Sequence, residues 1–147
     1  MSIDAYRVYE EHKILSASPV ELVQIMYRAA TVSVREARVH LKAGDIALRS
    51  AQISKAQLIL LELSSAVDKE RGGDLATRLI ALYEYMQRRL TEANVEQRDP
   101  PLEEVGRLLE TLLEAWQKCV APVEAVPSAP HYDEEISMSG VPAGVCG

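Results

Sequence analysis

The chain contains no phenylalanine and only two cysteines among its 147 residues. Cys119 and Cys146 are too few for the disulfide framework of a small secreted domain. No apolar run approaches the roughly 20 residues that a membrane-spanning helix requires, so we expect no membrane insertion. Residues 1–15 carry a charge every few positions, unlike a secretory signal peptide. Together these absences predict a cytoplasmic protein.

Basic residues are also in short supply. Sixteen Lys and Arg stand against 22 Asp and Glu, giving a net charge of −6. An acidic surface repels phosphate groups, so the charge balance disfavours nucleic acid as a partner. The apolar fraction of 48% is sufficient for a core, and the length fits a single folded domain.

Signals of catalysis and of metal binding are missing. None of the three histidines follows a glutamate at the Glu-x-x-His spacing of di-iron bundles. Glu36 and His40 are four residues apart on one helix face, a spacing that suits a metal but is more typical of a surface pair. The cysteines lack zinc spacing, and neither a phosphate-binding loop nor a nucleophile motif occurs. We therefore expect no enzymatic activity, no cofactor and no metal site.

The composition changes near residue 121. Residues 121–147 hold four of the seven prolines and four acidic residues but no Lys or Arg. They show no periodic apolar pattern, which predicts a disordered tail. The alternative is a short binding motif within 131–138.

The remainder of the chain has helical periodicity. Ser18, Pro19 and Glu21 form the signature of a capping box, and Gly44 is a typical helix stop. The apolar positions of this first helix are spaced 4-3-4-3-4, as in a heptad seam. They are Val23, Tyr27, Ala30, Val34, Ala37 and Leu41.

Three further helices are expected. Asp45 caps the second, which ends before Gly72-Gly73; Asp74 caps the third, which fades near Asn94; and Asp99 precedes the fourth. The predicted inward residues are Ile46, Ile53, Ala56, Leu60, Leu63 and Val67 in the second helix, Leu75, Leu79, Leu82, Met86 and Leu90 or Ala93 in the third, and Leu102, Val105, Leu109, Leu112 and Trp116 in the fourth.

Short connections force neighbouring helices to run in opposite directions, and no segment alternates with the period of a strand. The sequence therefore predicts an all-α fold, an antiparallel up-down four-helix bundle over residues 18–120. A short helical N-terminal segment, residues 1–17, precedes the bundle, and the disordered tail, residues 121–147, follows it. Residues 1–17 are too few to form a stable helix alone.

Two stretches have more apolar surface than one core-facing stripe can bury. Residues 20–27 are apolar on most sides of the first helix, and residues 58–61 are apolar around the second. One interpretation is that the N-terminal segment covers this surface permanently. The other is a groove for an amphipathic partner, with the N-terminal segment as a displaceable lid.

Several motifs, in order, resemble the FliS family of flagellin secretion chaperones. Ala5-Tyr6-x-x-Tyr9 and the run Ile14–Leu22, followed by Met26-Tyr27, resemble its beginning. Gly72–Ala76 and the run from Leu82 to Asn94, with Trp116 near the close, resemble its centre and end. Arg28 departs from the family pattern, which has an acidic residue after the tyrosine of the first helix.

The resemblance implies a helical bundle that binds the disordered C-terminal segment of flagellin one-to-one in the cytoplasm. It also implies that binding prevents premature polymerisation, and that the complex is delivered to a component of the flagellar type III export gate. We expect a monomer or a weak homodimer when free. The alternative is a homo-oligomeric structural or adaptor protein that uses the same apolar surface as a subunit interface. The candidate partner-binding residues are Tyr6, Tyr9, Ile14, Leu22, Ile25, Met26, Tyr27, Leu58, Leu61, Tyr83, Arg89 and Asn94.

Overall fold

The computed structural model describes residues 18–125, with side-chain surroundings up to residue 119. These residues form four helices and no strand, which confirms the predicted all-α class. The helices are α1 (Pro19–Ala43), α2 (Ile46–Ser65), α3 (Lys69–Glu96) and α4 (Pro100–Ala125). Within the described ranges, no helix combines the length and the apolar character needed to cross a membrane.

The four helices pack in a ring. α1 contacts α2 and α4, and α3 contacts the same two helices from the other side. The core therefore lies between the diagonal pairs α1–α3 and α2–α4. Its buried side chains come from every helix at heptad-like spacing, as the periodicity predicts. They include Val34, Ala37, Ile53, Leu60, Met86, Leu90, Leu102, Val105 and Leu109.

The ends of α1 follow the predicted capping chemistry. The backbone N–H of Glu21 donates to the Ser18 hydroxyl at 3.1 Å, and the Ser18 N–H donates to the Glu21 carboxylate at 3.0 Å. The two side chains thus accept hydrogen bonds from two backbone N–H groups that have no acceptor within the helix. At the other end Gly44 has φ 75°, a left-handed conformation that glycine adopts without a steric penalty.

The boundary between α2 and α3 differs from the prediction. α2 ends at Ser65, and α3 begins at Lys69 with Asp68, not Asp74, as its cap. The Asp68 carboxylate accepts the backbone N–H groups of Glu70 and Arg71, so a helix start forms before the glycines. Gly73, at φ 55° and ψ −131°, has a non-helical backbone that divides α3 into a short first turn and a long helical segment, so the break predicted at the glycines is present as a kink.

The inward faces of α2 and α3 also need correction. Ile46 is 57% exposed, because it stands at the first position of α2, where the bundle leaves the side chain uncovered. Leu75 is 42% exposed, and the buried seam of α3 runs instead through Ala76 and Tyr83. Leu75 comes two residues after the kink at Gly73, and the kink changes the phase of the helix.

The ends of the chain bear on the predicted domain boundaries. The backbone of α4 continues to Ala125, past the limit at residue 120 that composition suggested. The composition changes where the residue types change, but a helix ends where its backbone hydrogen bonds end. The two positions need not coincide. The predictions for residues 1–17 and for the tail beyond residue 125 lie outside the described residues.

Candidate partner-binding site

Two of the candidate residues meet in the centre of the bundle. The hydroxyl oxygens of Tyr27 on α1 and Tyr83 on α3 are 2.6 Å apart, and both side chains are buried. Because α1 and α3 are diagonal partners, this hydrogen bond crosses the core. Burial raises the pKa of both phenols, and in Tyr83 the neighbouring Tyr27 raises it further. The pair holds two helices together and does not reach the surface.

A third candidate, Asn94, belongs to a polar cluster between α2 and α3. Arg49 is buried, and its guanidinium donates to the Asn94 side-chain oxygen at 3.1 Å and to the Asn94 carbonyl at 3.3 Å. The Ser50 hydroxyl donates to the same side-chain oxygen at 3.0 Å. Gln97 accepts another guanidinium N–H at 3.4 Å. A buried cation needs such acceptors, so this cluster satisfies Arg49.

A fourth candidate, Arg89, is half-buried in an ionic cluster that joins α3 to α4. Its Nε donates to Glu104 at 2.6 Å, and its Nη1 donates to Glu92 at 2.7 Å. The Tyr85 hydroxyl donates to both oxygens of Glu104, at 2.9 and 2.8 Å. Hydrogen bonds from Tyr85 and Arg89 lower the pKa of the Glu104 carboxyl.

Leu58 and Leu61 are placed quite differently, on the side of α2 that faces away from the core. Leu58 is 64% exposed and Leu61 is 55% exposed, whereas Leu60 and Leu63 are buried. The sequence therefore predicted correctly which leucines of this run lie outside. They continue a row of six exposed residues at 4-3-4-3-4 spacing, none of them charged. We call this row the outer face of α2: Ala47, Ala51, Ser54, Leu58, Leu61 and Ser65.

On α1 the candidates Leu22, Ile25 and Met26 are half-buried. Met26 packs against the core, so only part of its surface is accessible. Two exposed residues that the sequence reasoning missed, Val32 and Val39, continue the line of Ile25 at intervals of seven. This repeat was visible in the sequence as a second heptad seam on α1, beside the one used to assign the core.

The exposed leucines lie in the half of the bundle that also contains the start of α1. α1 and α2 are antiparallel, so Pro19 lies at the end where α2 reaches Ser65. α4 closes at the same end, since the indole N–H of Trp116 donates to the Val20 carbonyl at 3.3 Å. The N-terminal segment joins the bundle here. Its candidates Tyr6, Tyr9 and Ile14 lie outside the described residues.

Glu36 and His40 form a long contact of 3.9 Å on α1, the spacing of a surface pair. In the described part of the chain, no three His, Cys, Asp or Glu side chains come close enough together to hold a metal ion.

Comparison with known proteins gives one consistent family. The family model for the flagellar protein FliS matches residues 2–123. The flagellar secretion chaperone FliS of Salmonella typhimurium is 38% identical over 118 residues, which cover 79% of this chain and 87% of the relative. FliSB of Pseudomonas aeruginosa is 36% identical over 106 residues, 72% of this chain and 84% of the relative. FliS of Vibrio cholerae is 28% identical over 118 residues, 80% and 87% of the two chains. The chain therefore belongs to the FliS family of flagellar proteins.

Proposed function

We propose that this chain is a flagellar export chaperone that binds the disordered C-terminal region of flagellin, one-to-one, in the cytoplasm. Family membership and the names of the relatives, which are secretion chaperones, support the class of function. The exposed apolar residues of the outer face of α2 support the mode of binding. Such residues are costly to leave in water, and Leu58 and Leu61 are not needed by the core.

The architecture suits a partner segment that folds as it binds. An amphipathic helix can place its apolar side on the outer face of α2 or on the seam of Ile25, Val32 and Val39. The polar clusters around Arg49 and Arg89 keep the helices beneath in fixed positions. The chaperone then offers a preformed surface, and only the flagellin segment has to lose conformational freedom. While the segment is held, it is unavailable for polymerisation.

The N-terminal segment is proposed as a reversible lid on this surface. It joins the bundle in the half that contains Leu58 and Leu61, and Tyr6 and Tyr9 supply apolar rings with hydroxyls that tolerate water. Competition with flagellin and direct contact with flagellin are both compatible with this position. Tyr6→Ala combined with Tyr9→Ala separates them: tighter flagellin binding indicates a competing lid, weaker binding indicates direct contact, and unchanged binding removes the lid from the proposal.

Delivery to a component of the flagellar export gate completes the proposed role. The free chaperone is expected to be a monomer or a weak homodimer, because the exposed apolar surface of α2 spans one helix only. The second candidate function is a structural or adaptor oligomer, favoured by the same observation. In that case Leu58 and Leu61 lie inside a large, permanent subunit interface.

Size-exclusion chromatography with light scattering discriminates between the two. The full chain is run alone and after mixing with a C-terminal fragment of flagellin. A chaperone gives a small free species and a complex with one copy of each chain. A large species that ignores the fragment supports the structural oligomer and contradicts the proposed chaperone function.

A further inference from the structure

The side of the bundle between α3 and α4 carries an excess of basic residues, although the chain as a whole is acidic. Arg89 of α3 contacts Glu104 of α4, and this contact marks the seam where the two helices meet. Four further cations lie along this seam, all of them exposed, and we call them the basic face: Arg78, Arg88, Arg107 and Lys118. None of the four forms an ion pair within residues 18–119.

Helical spacing places the four cations on one side of the bundle. On α3, Arg88 adjoins Arg89, and Arg78 precedes Arg89 by about three full turns. On α4, Arg107 and Lys118 lie about one turn and about four turns after the glutamate that contacts α3. The basic face therefore extends along both helices from the middle of the bundle to the end where α4 closes.

The acidic residues of the same two helices leave this face positive. Glu92 and Glu104 already accept hydrogen bonds from Arg89. Glu110 pairs with Arg35, so its edge of α4 faces α1. By spacing, other exposed acids lie on that edge of α4 or on the edge of α3 that faces α2: Glu103, Glu114 and Glu84. Asp74 shares the side of the basic face and offsets one of its four charges.

The complementary charge is found in the sequence that follows α4. Residues 126–147 contain no Lys or Arg, and their three acidic residues are consecutive: Asp133, Glu134 and Glu135, here called the acidic run. From this complementarity we propose that the acidic run folds back and docks on the basic face of its own chain. The inference concerns the free chain and does not rest on the proposed binding of flagellin.

The direction of α4 brings the acidic run within reach of the basic face. The chain leaves α4 at Ala125, just beyond Lys118. Arg107 stands 18 positions before Ala125, which is about 27 Å along a helix that rises 1.5 Å per residue. The eight to ten residues from Ala125 to the acidic run span up to about 26–36 Å when extended. Pro127 and Pro130 disfavour a continued helix, so the chain is free to turn back.

Docking of this kind is reversible. Exposed ion pairs are individually weak and are screened by salt, so the contact adds little to the stability of the bundle. Attachment to the same chain compensates for the weakness, because a short linker holds the acidic run at a high effective concentration. The docked run covers the basic face, and an acidic partner of α3 and α4 has to displace it. The outer face of α2 stays open, since α2 and α4 are diagonal in the ring.

NMR spectroscopy of the full chain, labelled with 15N and kept reduced, tests the docking. In the wild type the amide signals of residues 132–137 should be displaced from random-coil positions, and about half of this displacement or more should vanish between about 20 mM and 1 M NaCl. Reversal of three cations of the basic face should reduce the displacement about fivefold at low salt: R78E, R88E and R107E. Further reversal of the acidic run should restore it: D133K, E134K and E135K.

A matched control changes the net charge equally at exposed positions of α1 and α2 that form no ion pair within residues 18–119: R28E, K42E and K55E. It should leave the signals of residues 132–137 displaced as in the wild type. Unchanged amide signals from the core confirm that each variant is folded, as expected because the substituted side chains of the bundle are exposed.

Carbodiimide coupling locates the contact, because it joins a lysine to a neighbouring carboxylate. At about 5 µM protein, mass spectrometry of the monomeric product should find Lys118 joined to the acidic run. Random-coil signals in the wild type overturn the inference, as does a displacement that the reversal of the basic face leaves in place or that the control removes equally. Coupling of the run to Lys42 or Lys55 instead, or only within cross-linked dimers, also overturns it.

Discussion

At the scale of single residues, the hydrogen bond between the Tyr27 and Tyr83 hydroxyls joins the diagonal helices α1 and α3 across the core. Tyr27→Phe or Tyr83→Phe leaves one buried hydroxyl without its partner and should lower the free energy of unfolding by about 1–3 kcal/mol. The double replacement removes both hydroxyls, so it should lower the free energy of unfolding by no more than either single replacement does. A double-mutant cycle from urea unfolding at pH 7 measures this coupling. Additive losses would show that the hydroxyls act independently.

The same pair predicts how stability depends on pH. Burial raises the pKa of both phenols above their ordinary value in the unfolded chain. The contribution to stability is therefore fully present below about pH 10 and is lost as the pH rises above that value, where the unfolded phenols ionise first. Urea unfolding from pH 8 to 11 should show a steeper loss for the wild type than for the Tyr27→Phe, Tyr83→Phe double variant. Parallel curves would mean that these phenols are not the groups responsible.

Residue patterns predicted both caps of α1 and the N-cap of α2 well, because capping depends on a few neighbouring residues. They did not predict the contact between Arg38 and Asp99, whose atoms meet at 2.7 and 2.8 Å across 61 positions of sequence. Nor did they reveal that Asn94 supports a buried Arg49. Such contacts depend on how two helices are placed, and local periodicity contains no information about that placement.

At the scale of elements, α2 carries two kinds of leucine. The buried ones should determine the stability of the bundle, and the exposed ones should determine partner binding. Leu60→Ala or Leu63→Ala removes buried methyl groups from the core and should lower the free energy of unfolding by about 2–5 kcal/mol. Leu58→Asp or Leu61→Asp changes an exposed side chain and should alter stability by no more than about 0.5 kcal/mol. Thermal or chemical unfolding of the four variants measures both effects. Equal destabilisation in all four would place Leu58 and Leu61 in the core and remove the surface that the proposed function uses.

The elements themselves were predictable to different degrees. α4 has one clear apolar stripe, and the core-facing stripe of α1 is regular over its whole length, so both seams followed from spacing. α3 was predicted in part: the Gly-Gly pair does interrupt the helix at Gly73, but the helical turn capped by Asp68, which precedes the glycines, was missed. In α2 apolar residues occur on all sides, so the pattern indicated surplus apolar surface correctly. It could not define the outer face, which depends on where α1 and α3 pack.

At the scale of the whole molecule, the last described helix and the family match end within two residues of each other. The family model stops at residue 123, and α4 ends at Ala125. Removal of residues 126–147 should therefore leave the bundle intact and shift the melting temperature by no more than a few degrees, about what a loss near 1 kcal/mol produces. Circular dichroism melting of the full chain and the shortened chain measures the shift. A fall of about ten degrees or more would show that the tail packs on the bundle.

The bundle as a whole presents preformed apolar surface on rigid helices, and its proposed partner is a segment that orders on binding. Leu58 is the most exposed leucine of the described chain, so it separates binding from folding most cleanly. K118E serves as the control, because Lys118 is exposed on α4 and α4 does not pack beside α2.

Isothermal calorimetry of the full chain with a C-terminal fragment of flagellin is the most direct measurement of the central claim. The account predicts one fragment bound per chain, with affinity at least about tenfold weaker for Leu58→Asp and unchanged for K118E. Absence of binding by the wild type, or equally tight binding by Leu58→Asp, would contradict it.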